Sequence, residues 1–262
     1  TEPDAGLNTT EIKTKAERRG DHYVVSGQKI WISTAQVADR VLLLARTTPL
    51  GEVKKKTQGM SLFYTKLDRD HVEVRPIAKM GRHAVDSNIV HFNGLVVPEE
   101  DRIGPEGDGF KIILHGMNPE RILIAAEAVG LGMVAIERAA AYAKERVVFG
   151  RPIGQNQGIA HPLAKSWMSL EAAWLMALRA AQLYDAGADC GVEANTAKYL
   201  GAEAAFTACE TAIGTLGGMG YAVDYHVERY LRECFIPRLA PVSPQMICNF
   251  IAEKVLDLPR SY

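Results

Sequence analysis

Cysteine is scarce in this chain. Its 262 residues contain four, Cys190, Cys209, Cys234 and Cys248, with no CxxC pair and no Cys/His spacing of the kind that holds zinc, so no metal site is expected. All four lie in apolar or helical surroundings, which predicts free buried thiols in a reducing compartment. Long apolar runs are missing too: none approaches the roughly 20 residues of a membrane span, and the N-terminus lacks the charged-then-apolar layout of a signal peptide. Neither sign of charge dominates. A formal net charge of −1 gives no electrostatic case for nucleic acid or an anionic membrane, leaving only a local basic patch to hold a phosphate-rich ligand. There is no internal repeat or low-complexity segment, and 47% hydrophobic with 23% charged residues excludes disorder.

What is present falls into two textures. Between His22 and about Val97, short β-rich runs (HYVVSG, VLLLART, MSLFYT, NIVHFNGLVV) alternate with Gly, Asp, Asn and Pro turn signals. Lys54, Lys55 and Lys56 stand between two of these runs beside Gly51 and Gly59, which reads as a solvated loop. From about Gly109 the chain becomes rich in Ala, Leu, Met and Glu, with Ile122, Ala125, Ala126, Val129, Met133 and Ile136 at helical spacing. Gly104, Pro105 and Gly107 mark the boundary, and glycines at 150–154 and 187–191 break the long helices. The expected fold is α+β: a small barrel-like or sandwich-like β-domain over residues 1–105, then an antiparallel helical bundle over 106–262.

Several residues suit binding or catalysis. Trp31 and Ser33 end a strand two residues apart, a spacing that points both at one face; the bland reading is core packing of the ring. GTLGGMG at 214–220 offers glycines that let a backbone approach a pyrophosphate. It follows an alanine-rich helical run rather than a strand, which rules out a Rossmann loop and leaves a helix C-cap as the competing reading for Gly214, Gly217 and Gly218. Arg146 and Phe149 supply a guanidinium for pyrophosphate and a ring to pack on an adenosine, or simply a surface arginine at a helix end. Asn118-Pro119-Glu120 reads either as an N-cap, a proline at the first helical position and a first-turn acid, or as part of a longer helix from Gly109 kinked at Pro119.

TEPDAG at 1–6, WIS at 31–33, ERVVFGRPIG at 145–154 and TLGGMGY at 215–221, in that order and without gaps through most of the chain, resemble the acyl-CoA dehydrogenases, FAD enzymes that desaturate an acyl thioester between its α and β carbons. In that family TEPDAG follows a first helical domain, so the chain resembles the remainder of such a protein. The resemblance implies FAD between the β-domain and the bundle and across a subunit interface. Trp31 would cover the flavin, and the Ser33 hydroxyl would lie near flavin N5. Gly217 and Gly218, with Arg146 and Phe149, would meet the FAD of a neighbouring subunit, which makes the functional unit a homodimer or homotetramer. A glutamine usual three residues before the Gly-Gly pair is replaced by Gly214.

The catalytic base is where the chain departs most from the family pattern. A gapless match of VERYLRECFIPRLAPVSPQMI to the family's terminal motif puts the common glutamate at Pro241, which neither takes a proton nor offers an N–H to the thioester carbonyl. Ser243 and Gln245 keep the hydroxyl and amide positions on the cofactor side, while Val242 replaces a glycine. Some relatives carry the base immediately before an arginine on the first long helix, and Glu120-Arg121 stands there, so the resemblance assigns Glu120 as base and Arg121 to the substrate side. Glu228, Arg229, Arg232 and Glu233 match a charged helix and read as ion pairs on one face. The implied reaction removes the α-proton at Glu120 and passes the β-hydrogen as hydride to flavin N5, with an acyl-CoA as substrate and electron-transfer flavoprotein as acceptor, in a bacterial cytoplasm or mitochondrial matrix. An acyl-CoA oxidase and a noncatalytic flavin-binding assembly subunit are the alternatives.

Overall fold

In a computed structural model, residues 1–260 are described and form two compact units, Thr1–His115 and the chain from Gly116 onward. The first holds seven strands: β1 (Lys15–Arg19), β2 (His22–Ser33), β3 (Arg40–Arg46), β4 (Met60–Lys66), β5 (Val72–Pro76), β6 (Ser87–Pro98) and β7 (Arg102–Ile103). They pair in the order β5-β6-β2-β1-β3-β4-β7, antiparallel except where β1 meets β3. The edges β5 and β7 do not join, so of the two expected forms the unit is sandwich-like and not a closed barrel. Alternation explains the layers. Leu43 and Phe63 point into a core with Tyr23, Val25, Val90, Phe92, Leu95 and Val97, while their neighbours Leu44 and Leu62 point the other way, into a core with Ile12, Met60 and Phe110. Strands covered on both faces read as the unbroken apolar runs VLLLA and MSLF. The helix α1 (Gly109–Ile113) covers one of those faces; a Cβ on Gly109 would stand 2.5 Å from the Leu62 nitrogen.

The opening TEPDAG has a structural use of its own. Glu2 and Ala5 exchange backbone hydrogen bonds in a tight turn, and the buried Glu2 carboxylate accepts from the Lys13 and Thr14 N–H groups at 2.6 and 3.0 Å and from Lys29 Nζ at 2.8 Å. Burial by itself would raise the Glu2 pKa, and the Lys29 ammonium with these hydrogen bonds more than offsets that, holding the carboxyl below its ordinary range. The lysine run behaves as read: Lys54, Lys55 and Lys56 are exposed, and Lys56 reaches Glu11 at 2.6 Å.

The second unit is built on α2 (Met117–Glu145), a two-residue-per-strand ribbon of β8 (Val147–Val148) and β9 (Arg151–Pro152), then α3 (Gln157–Asp185) and α4 (Gly191–Leu216). Short elements α5 (Gly218–Tyr221), α6 (Val227–Glu233), α7 (Phe235–Leu239) and α8 (Pro244–Lys254) follow. The long helices run up, down and up, so each consecutive pair is antiparallel and α2 lies parallel to α4. Small residues set their spacing: a Cβ on Gly201 would stand 3.0 Å from the Ala125 carbonyl oxygen, and one on Gly132 would stand 2.5 Å from Leu170 and 3.0 Å from Ala205 Cα. Cys190, Cys209 and Cys234 are buried free thiols as expected, whereas Cys248 is exposed because α8 turns that face outward. The first long helix ends at Glu145, ahead of the glycines expected to break it. Among the described residues no helix is long and apolar enough to cross a membrane.

Removing one partner from a buried ion pair strands the other charge, so Glu2→Gln is expected to lower the unfolding free energy by about 3 kcal/mol. Glu17→Gln, which breaks the exposed pair with Lys15, is the control and is expected to leave it nearly unchanged. Urea denaturation of both variants checks the contrast.

Candidate active site

Pro119 cannot donate to the carbonyl four residues back, and the chain ahead of α2 tightens into a 3-10 turn over Leu114–Gly116. Neither reading of this stretch holds as written. The helix already begins at Met117, and Asn118 does not cap it but accepts from Arg121 Nη1 at 3.0 Å; the interruption lies upstream of Pro119 rather than at it. Glu120 does sit in the first turn. Its carboxylate has solvent access and no hydrogen-bond donor among the described residues, and desolvation nevertheless raises its pKa against the pull of Arg121. Burial lowers the Arg121 pKa in turn, with Glu120 opposing, and Arg121 Nε is buried with no acceptor among the described residues. A basic carboxylate thus stands next to an unused buried donor.

Gly191 opens α4 near Asn118, since a Cβ there would lie 4.0 Å from Asn118 Nδ2. Two turns along α4, the fully buried Lys198 donates to the Val242 carbonyl at 2.6 Å and to the Arg238 carbonyl at 3.4 Å. Burial pulls its pKa down to about 8, with Glu203 opposing and Arg121 assisting. Pro241 follows a cis peptide bond and carries no titratable group, so a base cannot act there. Ser243 caps α8, its Oγ accepting from Met246 N at 3.3 Å, and Gln245 is exposed on the first turn. The Ser243 hydroxyl proton is left for another acceptor.

Arg146 and Phe149 follow the C-terminal end of α2, and Gly217 and Gly218 that of the parallel α4; Tyr142 near the end of α2 stacks edge to face on Tyr225 beyond α4 at 5.9 Å. Arg146 is the exposed C-cap of α2 and lies roughly 40 Å along that helix from Glu120, at 1.5 Å per residue. Phe149 tips the β8–β9 ribbon, fully exposed and in a left-handed backbone conformation with φ of 52°. Of the three glycines read as helix caps, Gly217 is the one that ends α4, with φ 60° and ψ −131°; Gly214 is inside the helix and Gly218 begins α5. A Cβ on Gly217 or Gly218 would meet nothing within 4 Å, so the backbone there is open to an approaching group.

In the first unit, Trp31 lies in a bulge of β2 where the register with β6 shifts between Lys29 and Ile32. It is 54% exposed with φ of 61°, a costly conformation for a large residue, and is not the core ring that packing statistics favour. Ser33 shares its exposed phase and its Oγ has no partner among the described residues.

The family described as the acyl-CoA dehydrogenase middle domain matches residues 1–95, and that described as the acyl-CoA dehydrogenase C-terminal domain matches residues 107–256. The chain belongs to the acyl-CoA dehydrogenase family. It is 39% identical to acyl-CoA dehydrogenase FadE12 of Mycobacterium tuberculosis over 264 residues, covering 100% of this chain and 67% of the relative. Among solved structures it is similar to butyryl-CoA dehydrogenase from Megasphaera elsdenii, with a TM-score of 0.93 at 30% identity over 98% of this chain and 66% of that one. It is also similar to a FAD complex of PigA, with a TM-score of 0.91 at 29% identity over 97% and 66%. Acyl-CoA dehydrogenases are flavin oxidoreductases, and their cofactor is FAD.

The residues present fit that cofactor. An exposed, strained Trp31 beside an unpartnered hydroxyl suits a flat ring system with a hydrogen-bonding edge. Arg146, with no ion pair among the described residues, and the open backbone at Gly217 and Gly218 suit a pyrophosphate. Lys198 escaped the sequence reading, and Asn118 was read only as a cap, not as the acceptor for Arg121. The signal for Lys198 was its place in the buried stripe Ala194, Gly201, Ala205 and Ala208, a lysine where the helical period calls for a small apolar residue.

Gly217→Ala puts a Cβ into open space but forces an L-residue into a glycine conformation, so a loss of about 1–3 kcal/mol is expected from the backbone alone. Gly214→Ala, an exposed position inside α4, is expected to gain up to about 1 kcal/mol. Denaturation midpoints of the two variants should therefore move in opposite directions.

Proposed function

We propose that this chain carries out the FAD-dependent α,β-dehydrogenation of an acyl-CoA thioester to the trans-2-enoyl-CoA, with Glu120 as the base. The observation that carries the reading is the Glu120–Arg121 pair: a carboxylate with its pKa raised by desolvation and, among the described residues, no hydrogen-bond donor, beside a buried guanidinium nitrogen with no acceptor among them. An α-proton of a thioester is weakly acidic, so its removal needs a base stronger than an ordinary surface carboxylate. Desolvation supplies that strength at Glu120, and Arg121 Nε is the donor available to the substrate alongside it. Pro241 leaves no competing base at the position usual in the family. FAD, when bound, supplies hydride acceptance that no side chain offers.

The two ends of α2 serve different ligands in this reading. Glu120 and Arg121 work on the acyl thioester of their own protomer, while Arg146, Phe149, Gly217 and Gly218, roughly 40 Å away, hold the FAD of a neighbouring copy in a homodimer or homotetramer. Ser33 and Trp31 position the flavin ring, with Ser243 and Gln245 also on the cofactor side. Electron-transfer flavoprotein is the acceptor that returns the enzyme to its oxidised form.

In the holoenzyme, Glu120→Gln is expected to keep acyl-CoA and FAD binding while slowing anaerobic flavin reduction by at least about two orders of magnitude, the contribution typical of a general base. A stopped-flow rate near that of the unsubstituted enzyme would remove Glu120 from the chemistry. The base acts when deprotonated, and its pKa is raised, so kcat/KM should climb with pH along a limb above the ordinary carboxylate range; that limb should be missing from the residual activity of Glu120→Gln.

A further inference from the structure

Lys198 is an expensive residue for the place it occupies. Its side chain is wholly buried on α4, in a stripe otherwise made of alanine and glycine, and no carboxylate among the described residues bonds to it. An apolar side chain there would avoid the desolvation cost, and replacing buried charges by apolar groups is often neutral or stabilising. What the lysine does instead is hold main chain. The segment 238–242 runs from the last turn of α7 toward α8 across the cis Ala240–Pro241 bond, where Pro241 has no N–H and the N–H groups of Val242 and Ser243 find no backbone acceptor among the described residues. Lys198 Nζ bridges the carbonyls at the two ends of this segment, Arg238 at 3.4 Å and Val242 at 2.6 Å.

A second tether comes from the same helix. Glu203 grips the Arg238 guanidinium at both oxygens, at 2.9 and 3.2 Å, and the guanidinium lies 4.4 Å over the Phe206 ring. Three residues within about two turns of α4 therefore fix a stretch that secondary structure leaves loose. That stretch ends at Ser243, whose Oγ caps α8 and which the function proposed above puts on the cofactor side, while Lys198 itself is close enough to feel the Arg121 charge.

We propose that Lys198 is a positioning residue for the dehydrogenation: by bridging the Arg238 and Val242 carbonyls, with Glu203 as second tether, it sets the backbone from Pro241 to Ser243 against the substrate. The inference rests on the proposed function only in its last step, the effect on substrate. Lys198→Met has nearly the same length without the donors, and Glu203→Gln weakens the second tether at a half-exposed site that leaves the core untouched.

The test combines segmental hydrogen exchange with steady-state kinetics on the holoenzyme. In Lys198→Met, amides in 239–247 are expected to lose protection about tenfold, the equivalent of one buried hydrogen bond, while those of α2 and α3 keep theirs. KM for acyl-CoA should rise about tenfold at unchanged FAD content, with kcat within about threefold, whereas a general folding defect would lower kcat by reducing the active fraction. Glu203→Gln should show the same pattern more weakly, and carries the test if the lysine variant does not fold. Unchanged exchange in 239–247, or loss of protection spread evenly over the helical unit, overturns the tether. Segmental loss with KM unchanged overturns the role in the reaction. Failure of the underlying functional reading would look different, since no thioester would then reduce the flavin of the unsubstituted protein.

Discussion

The close approach of α2 and α4 is the constraint on which the helical unit depends. Gly132 and Gly201 let backbone meet backbone, with Ala205 and Ala125 opposite them; a Cβ at Gly201 would press on main chain, and one at Gly132 would press on the Leu170 side chain as well as on the Ala205 backbone. Because the two helices are long, parallel and locked at this seam, their N-terminal halves present one chemical constellation and their C-terminal ends another. Glu120, Arg121 and Lys198 share one end; Arg146, Phe149 and Gly217 share the other. The chain's high alanine and glycine content here is the means by which a rigid spacing between two sites is built.

At the Glu120 end one physical cause acts on three charged groups. Partial removal from water disfavours charge, which raises the carboxyl of Glu120 and lowers Arg121 and Lys198. In the proposed reaction, the same desolvation that costs stability makes Glu120 a stronger base for a weakly acidic proton. Between the ordinary carboxylate pKa and its raised folded value, Glu120 binds more protons folded than unfolded, so its contribution to stability falls as pH rises through that window. Lys198 has the opposite consequence: its folded pKa near 8 lies below the ordinary 10.5, so stability from this group grows as pH rises between the two.

Much of this was legible in the sequence because periodicity and turn chemistry report burial directly. The runs VLLLART and MSLFYT gave strands, the spacing from Ile122 to Ile136 gave the buried face of α2, and Trp31 with Ser33 shared an exposed phase as a period of two requires. What escaped depends on competition that a linear pattern does not carry. Asn118 looks like an N-cap, but its side chain is taken by Arg121 one turn later. Strands of two residues, as in β8 and β9, have no period to detect, and the exposure of Cys248 follows from how α8 is turned. The left-handed conformation of Trp31 arises from a bulge against β6, a long-range register that nothing in WIS announces. Pro241 and Glu120 were legible only through the family resemblance, since neither a proline after alanine nor a first-turn glutamate signals a catalytic role by itself.

The most direct measurement is the anaerobic visible spectrum of the purified flavoprotein, recorded before and after addition of saturated acyl-CoAs that differ in length and branching. Bleaching of the oxidised flavin band by at least one of them, without any added reductant, is expected if Glu120 and bound FAD carry out the dehydrogenation half-reaction. Flavin that binds and stays oxidised with every thioester would contradict the proposed chemistry and turn the chain into a flavin-holding relative of an enzyme family.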